Sequence, residues 1–533
     1  MLRKLLTWNI TLKSYVFIAV YSFFTLLIYN FGFWNKIIAA LNFQNVSDLL
    51  FLLTYFVTLF AVFFLLFNIF FIKYTAKLFA SIFLLVNSGI AYFIAVYNVP
   101  IDKGMLLNAF ATDVHEVSNL LHVKMILYVF VLGILPALIL LKIHIIYDSF
   151  LKELWLRPLL CFIIFAFAFT LVGMQYRQIA TFARTTHGIF DYLTPTNYLD
   201  ALIKIVRQSQ YKAQETVYIN QDFVVGSDNT LVLFIVGETA RKHNFSLYGY
   251  PRETNPLLKK DQVIALPDVY SCGTATRISL PCIFSHLGRI DYLNTHTKYE
   301  FFPQALAAKG VQVLYKDNNF GGCKGTCNGT EHISTVNAKL PEFCATGECM
   351  DGILLEGLPQ YIEKHQGNTL IVLHQNGSHG PRYNKRYPKV FEQFRPVCDS
   401  SDVRECTREE LINAYDNTIL YTDYLIHQTI NIAEKTNRPA VVIYVSDHGE
   451  SLGEKGLYLH GFPYALAPEE QKKVPLVIWM SQAFQDARDI SNACLANKTA
   501  YSHDHIFHSM LGLFQVQTKL YEPGLDIFAE CNL

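Results

Sequence analysis

Charge is scarce in this sequence, and it cancels. Charged side chains make up 17% of the 533 residues, and 44 basic against 44 acidic groups leave a formal net charge of +0. Soluble proteins carry roughly 25% charged residues, so a wholly soluble chain is excluded. The missing positive excess argues against a nucleic-acid partner, and none is expected. A hydrophobic content of 52% excludes disorder. Cysteine is nearly missing from the first half, where Cys161 stands alone; the other ten fall after position 270. Ten cysteines, many closely paired, point to an oxidising compartment for that part of the chain.

What the first third does contain is long apolar runs. A helix crosses a bilayer with about 20 apolar residues. Five segments meet that length approximately: Tyr15–Phe33, Leu49–Ile72, Leu78–Val96, Leu120–Leu141 and Leu159–Met174, the last being short unless it extends into its flanks. The first run is too long for an ordinary signal peptide and lacks a small-residue cleavage site. Arg3, Lys4, Lys13, Lys73, Lys77, Lys142, Lys152 and Arg157 fall on one side of these spans, and Lys36, Lys103 and Lys124 on the other. The cationic side is expected to be cytoplasmic, which puts everything after Met174 outside. The sequence divides into a five-helix transmembrane domain over 1–174, a bridging stretch over 175–228 and a soluble catalytic domain over 229–533.

Between the third and fourth spans, Asn108, Thr112 and Glu116 recur at i, i+4 and i+8 on one helical face. Such a face suits a lipid headgroup, or simply a solvated loop helix. In the bridge, Leu199, Leu202, Ile203 and Val206 have amphipathic spacing with Lys204, Arg207 and Lys212 nearby. A helix on the bilayer surface and one packed on the soluble domain both fit that pattern.

In the soluble part, the runs Leu231–Val236, Thr369–Leu373, Ala440–Val445 and Val474–Met480 read as buried strands. Helical stretches such as Phe302–Lys309 and Arg408–Lys435 lie between them, so a mostly parallel sheet sandwiched by helices is expected. Ligands bind beyond the carboxyl ends of such strands. Glu238 and the Asp447–His448 pair fall at those ends, and Glu, Asp and His together suit zinc. A metal also activates a hydroxyl as a nucleophile. Ser271–Cys282 (SCGTATRISLPC) offers Thr274, Thr276 and Ser279, and spacing does not choose among them. A Cys272–Cys282 bridge would fix this loop.

The strings VGETAR (Val236–Arg241), SCGTATRISLPC (Ser271–Cys282), KDNNF (Lys316–Phe320), HQNGSHGPRY (His374–Tyr383) and SDHGESLGEKGLYLHG (Ser446–Gly461) stand in this order. Together they resemble the phosphoethanolamine transferases that modify bacterial lipid A, within the alkaline phosphatase–sulfatase superfamily. The resemblance covers the whole chain. It implies Thr276 as nucleophile and Glu238, Asp447 and His448 as the remaining zinc ligands. It places His379 and His460 beside the zinc, for phosphate, a proton or a second metal. It makes Lys324 a substrate contact, Glu450 a carboxylate behind the metal site, and Asn108, Thr112 and Glu116 the ethanolamine-headgroup loop. Implied too are phosphatidylethanolamine as donor, a lipid A phosphate as acceptor, diacylglycerol as product, polymyxin resistance, and a monomer in the bacterial inner membrane with its catalytic domain in the periplasm.

The cysteines pair by proximity as Cys272–Cys282, Cys323–Cys327, Cys344–Cys349 and Cys398–Cys406, and by elimination as Cys494–Cys531; a zinc knuckle at Cys323–Cys327 and Cys344–Cys349 is the rival. Rival functions are a phosphoglycerol transferase, phosphodiesterase or sulfatase of the same superfamily, a transferase to heptose, Kdo or glucan, and a non-catalytic lipid-binding protein.

Overall fold

The computed structural model describes residues 10–41, 46–111, 121, 123–176, 178–179, 182, 188–209, 215–226, 229–344, 348–400, 402–495 and 500–531. The chain forms two compact units: Met1–Leu106 with Leu121–Gln208, and Leu107–Leu120 with Ser209–Leu533. The division at Gln208 falls inside the 175–228 stretch read as a bridge.

The first unit is helical. Helices α1 (Ser14–Ile28) and α2 (Phe31–Leu41) replace the first expected span with a pair bent by 62°. Asn30 explains the break. Its Nδ2 donates to the Thr25 and Thr194 carbonyls at 3.0 and 2.8 Å, and its Oδ1 accepts from the Thr194 amide at 2.7 Å. The side chain thus bonds the last turn of α1 and both backbone groups of Thr194, so a side chain enters the helix's hydrogen-bonding at the break. Helices α3 (Val46–Phe70), α4 (Ala76–Tyr97), α5 (Lys103–Ala111, which passes into the second unit at Leu107), α6 (Val123–Lys142, with a π-helical turn at Phe130–Ile134) and α7 (Phe150–Met174) follow. Among the described residues four helices are long and apolar enough to span a bilayer, and the bent pair makes five if counted as one span. Helix α7 starts nine residues before the expected run because its early charges are matched: Arg157 Nε meets Glu153 Oε2 at 2.6 Å and Arg157 Nη1 donates to the Phe71 carbonyl. The amphipathic stretch forms α8 (Thr196–Ser209), with Ile203 and Val206 exposed.

The second unit is built on a seven-stranded sheet. In chain order its strands are β1 (Leu231–Gly237), β2 (Ile264–Ala265), β3 (Gln312–Asp317), β4 (Glu331–Ser334), β5 (Thr369–His374), β6 (Ala440–Ser446) and β7 (Leu476–Met480). The spatial order is β2-β7-β6-β1-β5-β3-β4. The five strands from β6 to β4 run parallel, and β7 pairs antiparallel with both β6 and β2. All residues of β1, β5 and β6 are buried, as expected of strands covered on both faces. Helix α9 (Thr276–Phe284) begins at Thr276 within the Ser271–Cys282 segment. Helix α10 (Arg408–Glu434) opens with a capping box, in which Thr407 Oγ1 accepts the Glu410 amide and Glu410 Oε2 accepts the Thr407 amide. Strands β3 and β7 frame the three central ones; β3 and β4 carry too many polar residues to stand out as apolar runs.

Candidate active site

The parallel pairing of β1 with β6 sets the site. Gly237 stands opposite Ser446, so the next residue of each strand, Glu238 and Asp447, leaves the sheet at the same level. The Asp447 amide donates to the Gly237 carbonyl at 2.9 Å, holding the two strand ends together. Glu238, Asp447 and His448 are all buried, with donor atoms within 4.8 Å of one another. His448 Nε2 lies 3.4 Å from both Glu238 Oε1 and Asp447 Oδ2.

Of the three hydroxyls in the Ser271–Cys282 loop, Thr276 faces this cluster. Its Oγ1 lies 3.0 and 2.9 Å from the Glu238 oxygens and 3.2 Å from His448 Nε2. Thr274 instead donates to the Phe462 carbonyl, and Ser279 accepts the Gly273 amide. Both serve the loop's shape, which a Cys272–Cys282 disulfide closes. Thr276 keeps partial access to solvent, while its partners do not.

The residues fit a divalent cation. Asp447 Oδ2 is buried with no hydrogen-bond partner. His448 Nδ1 lies 2.9 Å from the Gly449 carbonyl, which can only accept, so Nδ1 carries the hydrogen and a neutral ring offers Nε2 to a metal. Two carboxylates, one imidazole and one hydroxyl form a zinc-type donor set. The protonation balance agrees. Burial disfavours a charged His448, yet Asp447 and Glu238 outweigh it and push the ring up to about 10. Burial and Glu238 raise Asp447 to about 6. Burial also works against Glu238, but its bond to His448 and the surrounding imidazoles hold it well below the usual carboxylate range. Protein groups alone thus retain a proton that a cation would displace.

His379 and His460 stand beside this cluster. The His460 ring centre is 4.5 Å from that of His448 and 5.4 Å from that of His379. Burial pushes His379 down to about 3, leaving it neutral. Arg386 Nε donates to the His379 carbonyl at 2.9 Å. His460 Nδ1 is 3.4 Å from the buried Glu450 carboxylate. Lys324 sits in the turn closed by Cys323–Cys327. A Cβ on Gly321 would meet Asn319 Oδ1 at 2.9 Å and Lys324 Nζ at 3.1 Å, so both groups flank that glycine. Asn108 lies on α5 and is assigned to the second unit, whereas Thr112 and Glu116 lie outside the described residues.

Three contacts had no assigned role in the sequence. Asn319 Nδ2 donates to Glu238 Oε2 at 2.9 Å. Thr239 Oγ1 donates to Glu238 Oε1, and its amide donates to Asp447 Oδ1 at 3.0 Å. Gly377, at φ 52°, passes so close that a Cβ there would lie 2.6 Å from the Glu238 carbonyl. All three residues lie within the quoted strings, but only the fold shows what they touch. Cys323, Cys327 and His332 also cluster, but both sulfurs are bonded to each other, so the knuckle reading is set aside. The other bridges are Cys344–Cys349, Cys398–Cys406 and Cys494–Cys531.

This strand-end cluster on a largely parallel sheet defines a sulfatase-type domain, and residues 230–516 match the family model described as Sulfatase. Residues 59–210 match the model described as Phosphoethanolamine transferase EptA/EptB. The chain belongs to the phosphoethanolamine transferase family. It is 35% identical to phosphoethanolamine transferase EptA of Escherichia coli K12, covering 100% of this chain and 99% of that one. It is 34% identical to phosphatidylethanolamine transferase Mcr-1 of Escherichia coli, covering 95% and 96%. Among solved structures, the integral membrane lipooligosaccharide phosphoethanolamine transferase A of Neisseria meningitidis matches with a TM-score of 0.94 at 34% identity, covering 98% of this chain and 99% of that one.

Proposed function

We propose that this protein moves phosphoethanolamine from phosphatidylethanolamine to a phosphate of lipid A in two steps, through a covalent adduct on Thr276. The observation that carries the reading is the placing of Thr276 Oγ1 within 3.2 Å of both Glu238 and His448. The family membership supports the transferred group. Glu238, Asp447, His448 and Thr276 would hold a zinc ion, which supplies Lewis acidity and lowers the pKa of the hydroxyl.

Thr276 Oγ1 attacks the donor phosphorus, the bond to the glycerol oxygen breaks, and diacylglycerol leaves with a proton. An oxygen of the acceptor phosphate then attacks the same phosphorus, and the Thr276 oxygen departs. Neutral His379 can take or give a proton, and His460, steadied by Glu450, lies within reach of the same space. Lys324, next to Asn319, offers a cation to the phosphoryl oxygens. Asn108, with Thr112 and Glu116, would hold the ethanolamine head of the donor. A phosphate that gains an ammonium group binds cationic peptides less well, which connects this reaction to polymyxin resistance. The chain is read as an inner-membrane protein with its N-terminus in the cytoplasm and its second unit in the periplasm.

The test is peptide mass spectrometry on full-length enzyme incubated with phosphatidylethanolamine. The expected result is a phosphoethanolamine adduct on Thr276 that is absent from Glu238→Ala. An adduct formed from phosphatidylglycerol alone would move the assignment to a phosphoglycerol transferase.

A further inference from the structure

Arg277 follows the nucleophile directly, as the second residue of α9. It is half-buried, and among the described residues it has no carboxylate or hydrogen-bond partner. Its electrostatic neighbour is Tyr292, whose phenol burial pushes up to about 12. Tyr292 lies on the short helix Arg289–Asn294, which exposes Ile290 to 70% and Leu293 to 45%. The same helix begins with Arg289, whose Nε donates to the Cys272 carbonyl at 2.9 Å and whose guanidinium lies 3.7 Å over the Tyr464 ring. Lys472 approaches that ring at 5.7 Å, and two residues beyond it Leu466 is 45% exposed. Two of the nearby acids are engaged, since Asp504 accepts the Arg289 amide and Glu469 pairs with Lys472 at 3.0 Å, while Asp291 on the same helix is turned to solvent.

Arg277, Tyr292, Arg289 and Tyr464 therefore form one rim, cationic and aromatic, with apolar side chains standing out of it. Large exposed apolar side chains on a soluble surface mark an interaction site, and a guanidinium beside them suits phosphate. We propose that this rim docks the acceptor, a phosphorylated glycolipid, with Arg277 on a phosphate and Ile290, Leu293 and Leu466 against acyl chain. The inference rests on the transfer reading above and supplies the acceptor contact which that reading lacks. An anionic amphiphile is the occupant that matches both halves of the surface. A soluble phosphorylated sugar would leave the apolar half unused.

The test measures equilibrium binding of lipid A to the full-length protein in detergent, beside diacylglycerol release from phosphatidylethanolamine. Arg277→Gln and the double variant Ile290→Ser/Leu293→Ser are compared with Val390→Ser, an exposed apolar site outside the rim. The rim variants are expected to weaken lipid A binding about tenfold, the loss of one charge-assisted contact or its apolar equivalent. Their melting temperature and the binding by Val390→Ser should not change. Wild-type affinity in both rim variants would overturn the proposal. Rim-dependent binding by a wild-type enzyme that releases no diacylglycerol would overturn the transfer reading and leave the rim standing.

Discussion

Asn319 makes one hydrogen bond to the cluster, and with it restrains one of the two Glu238 oxygens beside Thr276. Groups that orient a metal ligand in this way typically contribute 10–100-fold to affinity or activity. Asn319→Ala is expected to lower transfer and zinc affinity by about that range with the fold retained, measured by kcat and by metal titration. Asp423 lies away from the site and makes a different test. Burial pushes its carboxyl up to about 7, although it accepts the Leu257 and Leu258 amides. In the unfolded chain the same group titrates near 4. The folded state therefore keeps a proton that the unfolded state releases, and this contribution to stability is lost as pH rises from about 4 to about 7. Asp423→Asn should gain stability relative to wild type between pH 5 and 8, read as a converging, then crossing, pair of melting curves. Parallel melting profiles across that range would contradict the assignment.

At the scale of elements, the site follows from strand register. Adjacent parallel strands that end together deliver Glu238 and Asp447 side by side from positions 209 residues apart. Three of the apolar runs were legible because β1, β5 and β6 are buried on both faces and read as unbroken aliphatic stretches, and the fourth because all of β7 but Trp479 is buried. Strand β3 escaped notice because Gln312, Lys316 and Asp317 interrupt it. The structure satisfies those groups locally, with Lys316 Nζ donating to the Glu356 carbonyl and Asp317 bonding His374. The bend between α1 and α2 was hidden for the opposite reason: one polar residue in an apolar run, Asn30, reroutes the backbone. The preference for Thr276 over Thr274 and Ser279 came from family resemblance; of the three hydroxyls, it is the one that faces Glu238 and His448. The loop that presents Thr276 is closed by the Cys272–Cys282 disulfide. For loops of about 15 residues a bridge contributes about 3 kcal/mol, and somewhat less for a shorter one. Replacing Cys272 and Cys282 together by serine should reduce kcat more than tenfold while melting temperature drops by only a few degrees, since the wider fold has its own core.

At the scale of the whole molecule, each unit carries a separate hydrophobic core, one centred on residues such as Phe63, Phe67 and Tyr21, the other on Val232, Phe302 and Ile478. A fragment spanning 215–531 is therefore expected to fold alone, to bind one zinc per chain and to lose thermal stability on chelation, but not to transfer between lipids. Calorimetry with and without chelator checks the first three points, and a lipid transfer assay the last. The second unit also contains all five disulfides, and each joins a cysteine to the next one along the chain. No bridge encloses or crosses another. During synthesis the next cysteine of this unit to emerge after the first of each pair is its native partner. Oxidation in order of appearance is enough to give the correct set, with no rearrangement of earlier bonds called for by the pairing pattern itself.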